Sequence, residues 1–134
     1  FEIPQGQYDR IDVELELDDD TQESLVILGD YTDNNGQTIP VQFVFEDDEK
    51  YRIRAEDESG ENDIILDTDV PSKVKMTLDA SFIFSLISNF QFENADTTTI
   101  DGTPTILISD SSNEDIYQLA VDRIEESMHV RFNF

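Results

Sequence analysis

The chain has 134 residues with no cysteine and no tryptophan, and its 32 acidic residues against 8 Lys and Arg residues give a net charge of −24 at pH 7. This negative field repels phosphate backbones and anionic lipid headgroups, which disfavours nucleic acid and membrane surfaces as partners. The lack of cysteine excludes disulfides and thiolate metal sites, and no apolar run approaches the roughly 20 residues of a membrane span. The length predicts one domain, residues 1–134, with a single core.

The first third of the chain has the pattern of two strands and a turn. Residues 8–17 alternate apolar with mainly acidic side chains, which predicts a half-buried antiparallel strand. Residues 24–31 predict a second strand, in which Gly29 is a candidate bulge. Asn35 and Gly36 then form the strongest short hairpin signal and lead into the next strand.

Residues 38–56 predict a central hairpin around which we expect the rest of the chain to be organised. One face of its first arm is wholly apolar, with Ile39, Val41, Phe43 and Phe45. Its second arm alternates apolar with basic residues, and the acidic segment 46–49 has the right length for the connection. Pro40 lacks an amide donor, so it should lie at the start of its strand or at a sheet edge.

The middle of the chain predicts shorter elements. An acidic loop covers residues 56–63, and short strands follow at residues 64–66 and 74–78. Apolar residues then recur at helical spacing, at Ile83, Leu86, Ile87 and Phe90. This predicts a short helix near residues 80–90, with a buried strand over residues 82–87 as the alternative. Residues 94–102 are expected to form a polar connection, and residues 105–109 predict a buried strand or an extended packing segment.

The last part of the chain predicts a longer helix near residues 112–127, with a capping box formed by Ser111 and Glu114. Residues 129–134 alternate again and are expected to pair beside an earlier strand. Together these elements predict a mainly β fold, an antiparallel β-sandwich of immunoglobulin-like or transthyretin-like type, with one short and one longer α-helix. About seven or eight strands are expected.

No set of residues in the sequence indicates catalysis. His129 is the only histidine, and a lone histidine at the start of a predicted strand is a poor candidate for a general base. Among 32 acidic residues some carboxylate pair reaches glycosidase spacing by chance, so a two-carboxylate hydrolase stays a third alternative only. We therefore predict that the protein is not an enzyme, and assign no catalytic or cofactor-binding residues.

Acidic strand ends are candidates for calcium, which prefers oxygen ligands. These candidate metal ligands are Asp18, Asp19, Asp20, Asp47, Asp48, Asp67 and Asp69. Residues 31–42 fail as an EF-hand, because Tyr31 and Gln42 stand at the two end positions where carboxylates are needed, and a hairpin turn is predicted instead. The alternative for all the candidates is a solvated acidic rim, since runs of like charge usually face water.

Several segments together resemble a known group of proteins. They are Pro4-x-Gly6-x-Tyr8-x-x-Ile11, Gly29-x-Tyr31-Thr32, Ile39-Pro40-Val41, Phe43-x-Phe45, Thr103-Pro104-Thr105-Ile106-Leu107-Ile108 and Asn113-x-x-Ile116. The chain resembles secreted or lipid-anchored bacterial cell-surface domains of unknown function with β-sandwich character, over most of its length. The resemblance implies export and anchoring through a lipidated cysteine upstream of Phe1, and it brings no catalytic residues.

Two functional hypotheses follow. The first is a non-enzymatic, monomeric, extracellular or cell-envelope module that binds a glycan, a peptide or an envelope partner through its loops. The alternative is an acidic inhibitor or nucleic-acid mimic that binds a basic protein, motivated by the net charge of −24. The acidic residues alternate along several strands and cluster in many loops, which argues against one continuous mimic surface.

Overall fold

Strands dominate the chain, as the sequence predicts. A computed structural model describes residues 2–18, 23–67, 69 and 71–132, and the mainly β character is confirmed within them. The strands are β1 (Gly6–Tyr8), β2 (Asp12–Leu17), β3 (Leu25–Thr32), β4 (Thr38–Phe45), β5 (Glu49–Arg54), β6 (Ile64–Leu66), β7 (Val74–Leu78), β8 (Thr97–Ile100), β9 (Thr103–Ile108) and β10 (Met128–Phe132). The helices are α1 (Ala80–Ile83), α2 (Asn89–Glu93) and α3 (Glu114–Val121), followed by a 3₁₀ turn over Glu125–Ser127. No helix among the described residues is long and apolar enough to cross a membrane.

Contacts among the residues divide the chain into two compact units. Unit 1 comprises Phe1–Leu15, Lys50–Asp79 and Glu125–Phe134, and unit 2 comprises Glu16–Glu49 and Ala80–Ile124. Each unit therefore combines segments that are distant in sequence. The single domain over residues 1–134 stays a prediction.

The sheet of unit 2 has the strand order β3-β4-β9-β8. β3 and β4 form an antiparallel hairpin in uninterrupted register from Leu25↔Phe45 to Thr32↔Thr38. The Asp33 carboxylate closes the turn, because its Oδ1 accepts the Asn35 N–H at 2.9 Å and the Gln37 N–H at 2.7 Å. The hairpin turn predicted in place of an EF-hand is confirmed, with Gly36 at φ 82°.

The regular register corrects the expectations for Gly29 and Pro40. Gly29 pairs directly with Val41, so the predicted bulge at Gly29 is wrong. The Asp33 N–H donates to the Gln37 carbonyl, so these two residues form a hydrogen-bonded pair. Hydrogen-bonded and non-hydrogen-bonded pairs alternate along an antiparallel ladder, which makes Asp30 and Pro40 a non-hydrogen-bonded pair. Pro40 is the third residue of an interior strand, so it lies neither at the first position nor at a sheet edge, and the prediction for it is wrong. The parallel pairing of β4 with β9 begins only at Val41, beyond the missing N–H.

The predicted central hairpin is wrong, because its two arms pair with different strands. β4 lies between β3 and β9, in parallel with β9, whereas β5 pairs with β2. Charge favours the pairing of β5 with β2, since the basic face of β5 meets the acidic face of β2. Arg52 lies 3.8 Å from Glu14, and the pKa of Asp12 is lowered chiefly by its hydrogen bond with Arg10, with smaller effects of Arg52 and Arg54.

The polar connection predicted at residues 94–102 contains a strand, β8, that pairs with β9 and was not foreseen. β8 begins with three consecutive threonines, Thr97 to Thr99, so it lacks the alternation of apolar and polar residues that indicates a half-buried strand. Asn113 lies near this pair, donating from Nδ2 to the carbonyls of Asp96 at 2.9 Å and Leu107 at 2.7 Å, and accepting the Asp96 N–H at 2.8 Å. Ten strands therefore occur in the described ranges, more than expected.

The helices are shorter than predicted. The region 80–90 forms parts of two helices, and Leu86 and Phe90 are 57% and 74% exposed, so the apolar stripe does not make one buried helix face. α3 ends at Val121, and its N-cap is Asn113 in the left-handed conformation without a side-chain cap, so the box at Ser111 and Glu114 is wrong. A complete capping box occurs instead on α2, between Ser88 and Gln91.

Unit 1 contains the antiparallel pairs β1–β6 and β7–β10. Pairing of the terminal strand with an earlier one is therefore confirmed. The buried apolar residues in the ranges of unit 1 are Tyr51, Ile53, Ala55, Ile64, Leu66, Met128, Val130 and Phe132. In β5 and β10 the basic residues alternate with these buried residues and are exposed, which keeps their charges in water.

Candidate functional site

A cavity of about 320 Å³ lies in unit 2 on the inner face of the β3–β4 hairpin. It is lined by Ile27, Leu28, Gly29, Asp30, Tyr31, Val41, Ala80, Ser81, Phe84 and Phe92. The sheet forms one wall, and α1, the turn after it and α2 form the other. Its volume is at the lower end of the range for small-ligand pockets, and we call it the Gly29 cavity.

Gly29 opens this cavity because it has no side chain. Ile27, Gly29 and Tyr31 share the inner face of β3, since successive side chains point to opposite sides. A Cβ added at Gly29 would meet no atom within 4 Å, and the backbone there is not in the left-handed region. The strand geometry therefore does not require glycine, and the space beside it is open.

Aromatic rings form the walls of the Gly29 cavity. Tyr31 and Phe92 stack with ring centroids 5.0 Å apart. Phe84 packs edge-on against Phe43 at 5.7 Å, and Phe43 in turn stacks on Tyr117 at 5.8 Å. Because Phe43 is fully buried, these contacts hold the Phe84 side of the wall to the core of unit 2.

A polar network fixes the opposite side of the cavity. The Tyr31 hydroxyl lies 2.6 Å from each of two acceptors, Asn89 Oδ1 and Glu93 Oε1, which share its single hydrogen. Glu93 Oε1 also accepts the Asn34 N–H at 2.8 Å, so the same carboxylate joins α2 to the hairpin turn. Desolvation, followed by the hydrogen bond to Glu93, raises the pKa of Tyr31 to about 12. The hydroxyl therefore stays protonated at neutral pH and acts as a donor.

The electrostatics of unit 2 favour a neutral or cationic ligand. By sequence, Arg123 is the only Lys or Arg residue in the ranges of unit 2. Its guanidinium donates to the Phe82 carbonyl at 3.0 Å and lies 3.9 Å from the centre of the Phe82 ring, so it is already engaged. The lining residues of the cavity include Asp30 and Ser81 but no basic residue.

A second, more open depression of about 340 Å³ involves the same part of the hairpin. It is lined by Leu28, Gly29, Asp30, Pro40, Val41, Gln42 and Thr105, and we call it the outer groove. Leu28, Gly29, Asp30 and Val41 line both the groove and the Gly29 cavity. The middle of β3 therefore borders open space on both faces.

The calcium candidates occupy separate strand ends. Asp18 follows β2, Asp47 and Asp48 lie between β4 and β5, and Asp67 and Asp69 follow β6, whereas Asp19 and Asp20 lie outside the described residues. The Asp67 Oδ1 accepts the Asp69 N–H at 3.1 Å, and the Asp47 carbonyl accepts the Ser24 hydroxyl at 2.9 Å. Within the described ranges, no three carboxylate or imidazole side chains form a group that could hold a metal ion. Calcium binding at these loops stays a prediction.

His129 lies exposed on β10 and lines a depression of about 240 Å³ with Lys75, Thr77 and Arg131. These residues share one face, because His129 pairs with Thr77 and Arg131 with Lys75 across β7 and β10. The Thr77 hydroxyl is 3.5 Å from the His129 carbonyl, and Arg131 lies 3.8 Å from Glu56. We assign no catalytic role to this basic face.

One feature of the sequence indicates the Gly29 cavity, namely the glycine inside the predicted strand of residues 24–31, which was interpreted as a bulge. A glycine inside an otherwise regular apolar strand indicates either a bulge or an open space beside the backbone. Phe84 lies in an almost continuously apolar run, residues 82–87, and Phe92 lies among polar residues, so neither ring carried a signal of its own. No protein-family model matches the chain, and comparisons with curated proteins and with solved structures find no match.

Proposed function

We propose that this protein is a non-enzymatic binding module whose ligand places an apolar group in the Gly29 cavity. The observation that carries the proposal is the cavity itself, an aromatic-walled space left open by a glycine that the backbone does not require. The space is partly open to solvent, and a ligand that covers its apolar lining would remove that surface from water, which is favourable. Of the ligands considered, a peptide suits this lining better than a glycan, because apolar side chains outnumber polar ones.

We propose that the protein works at the cell surface or in the cell envelope, which is where the bacterial domains that the sequence resembles are found. A β-sandwich arrangement, with anchoring through a lipidated cysteine upstream of Phe1, belongs to the same proposal. The mainly β fold and the net charge of −24, which suits a solvated surface, support it. Site-specific labelling of the surface of intact cells producing the full-length protein tests this setting, and exclusively intracellular protein would contradict it.

The cavity is tested with the small ring compound p-cresol, followed by methyl NMR spectroscopy. We expect concentration-dependent shifts of the methyl groups of Ile27, Val41 and Ala80, which line the cavity. The methyl groups of Ile64 and Val130, buried in unit 1, serve as internal controls and should not move. Affinity in the millimolar range, about 4 kcal/mol, is reasonable for a ligand of this size. Shifts spread evenly over both sets, or none at all, would remove the support for a binding cavity.

A second candidate function is an acidic inhibitor that occupies the basic surface of another protein. The charge distribution supports it, because unit 2 contains many acidic residues and Arg123 as its single basic residue. This function requires one-to-one association with a folded basic protein. We would measure the binding of cytochrome c, as the basic probe, at increasing salt concentrations. Binding that saturates at one partner per chain and is unaffected by p-cresol would favour the inhibitor over the cavity.

A further inference from the structure

β3 forms an edge of the sheet in unit 2. Within the part of the chain that the structure describes, it has a strand partner, β4, on one side only. The bond from the Asp33 N–H to the Gln37 carbonyl sets the alternation of the hairpin. Ile27, Gly29 and Tyr31 therefore exchange backbone hydrogen bonds with β4, while the N–H and C=O groups of residues 26, 28 and 30 point to the other side.

This edge lacks the features that usually prevent strand pairing between molecules. β3 is eight residues long and regular, and it contains neither proline nor lysine nor a bulge. Two of its outward side chains are apolar and accessible, with Val26 42% and Leu28 73% exposed. Asp30 is the one charged residue of the strand. An edge of this kind is a template for an added strand.

The Gly29 cavity provides space for a side chain of such a strand. A residue paired with Gly29 would point its side chain to the inner face, directly beside the missing side chain of the glycine. Large side chains on a neighbouring strand pack well across an edge glycine. The next residues of the added strand would point to the other face, where Leu28 and Asp30 border the outer groove.

We propose that β3 binds an extended basic peptide segment by strand addition, with one large apolar side chain of that segment beside Gly29 in the cavity. The inference rests on the proposed binding function and specifies its ligand and its geometry. Charge selects the partner, because unit 2 has Arg123 as its only basic residue and Asp30 lies on the edge itself. A second copy of this chain carries a net charge of −24 and would be repelled, so it is the less suitable occupant.

The test uses the synthetic peptide acetyl-KTKFKTK-amide, in which phenylalanine and the threonines share one face. Two N-methylated versions keep every side chain but block alternate backbone donors, one at the lysines flanking phenylalanine and one at the threonines. Antiparallel addition with phenylalanine opposite Gly29 requires the lysine amides, so that version should bind at least about tenfold more weakly than the other. Slower hydrogen exchange at the amides of Leu28 and Asp30 should accompany binding. Equal affinity of the two versions would overturn strand addition.

Variants of the protein locate the site. Leu28→Lys places a positive charge on the edge at an exposed position and should weaken the peptide at least about tenfold, through charge repulsion at the edge. Leu86→Lys is the matched control, because Leu86 is also exposed in unit 2 but does not line the cavity or the groove. Gly29→Val should fill the space beside β3 while leaving the fold intact. A peptide with alanine in place of phenylalanine should bind the wild type more weakly than the original peptide does, and the two peptides should bind this variant equally. Equal effects of the two lysine substitutions would contradict binding at β3.

The outcomes separate this inference from the function on which it rests. If p-cresol binds beside Ile27 and Val41 but the N-methylated peptides do not differ, strand addition is wrong and the binding cavity stands. If p-cresol does not bind either, the proposed function itself fails. Sedimentation of the free protein completes the test, since a dimer that Leu28→Lys dissociates would identify a second copy as the occupant and overturn the peptide proposal.

Discussion

Tyr31 connects the Gly29 cavity to the hairpin turn through a single hydroxyl group. Its ring stacks on Phe92, and its hydroxyl donates toward the carboxylate that also holds the Asn34 amide. Gly29, two residues earlier on the same face, contributes only the absence of a side chain. At the scale of residues, the site therefore depends on one anchored ring and one missing side chain.

The raised pKa of Tyr31 predicts a specific loss of stability at alkaline pH. The folded protein holds this pKa at about 12 against the ordinary value of 10.0, so the protonated form is favoured by folding. Its contribution is complete below pH 10 and is lost as the pH rises through about 12. In urea unfolding, the stability difference between the wild type and Tyr31→Phe should therefore shrink between these pH values. A difference that stays constant over this range would contradict the contact with Glu93.

Among the elements, α2 shows how a short helix is held in place. It has only five residues, and its capping box satisfies the first turn, with the Ser88 hydroxyl accepting the Gln91 N–H at 3.2 Å and the Ser88 N–H donating to Gln91 Oε1 at 3.0 Å. The corresponding motif at Ser111 and Glu114 does not cap α3, because Asn113 takes the N-cap position. The same short motif thus acts at one site and not at the other.

This difference predicts unequal effects of two serine substitutions. Ser88→Ala removes a working cap and should lower the free energy of unfolding by about 1 kcal/mol. Ser111→Ala, also on an exposed serine, should change it by less than about 0.5 kcal/mol because no helix N–H depends on that hydroxyl. Chemical denaturation of both variants against the wild type measures the two values. A larger loss for Ser111→Ala would reverse the assignment of the cap.

At the scale of the whole molecule, charge is unevenly distributed between the two units. Seven of the eight Lys and Arg residues fall in the ranges of unit 1, and unit 2 has Arg123 alone. In unit 1, basic residues lie near acidic ones, as with Arg52 and Glu14. The excess of like charge in unit 2 has no such compensation in its sequence and must be screened by solvent ions.

Salt should therefore stabilise the protein. Added sodium chloride screens the repulsion among like charges, and a gain of about 1 kcal/mol would raise the Tm by about 4 °C for a chain of this size. Thermal melts with calcium and magnesium chloride at matched ionic strength extend the measurement to the acidic loops. A rise in Tm that is selective for calcium would identify the acidic loops as binding sites, whereas equal rises with both ions would indicate that their aspartates are only solvated. A Tm that does not depend on salt would contradict the screening argument.

Local pattern determined where several strands lie and which of their side chains share a face. The alternation of Val13, Leu15 and Leu17 with acidic residues predicts β2, and Asn35-Gly36 predicts the β3–β4 turn, because both signals depend on neighbours in sequence. The net charge of −24 also predicts that nucleic acid is disfavoured as a partner, and this stays a prediction. These properties follow from side-chain periodicity and net charge, which need no knowledge of distant contacts.

Only the tertiary structure decided which strands pair and where space remains. Periodicity shows that one face of β4 is buried, but it does not distinguish β5 from β9 as the neighbour. The Gly29 cavity depends on residues from β3, β4 and the segment 80–92, and the glycine in β3 does not by itself show that these three segments leave a volume unfilled. Pairing and packing are non-local, since they depend on the charges and shapes that folding brings together from remote parts of the chain.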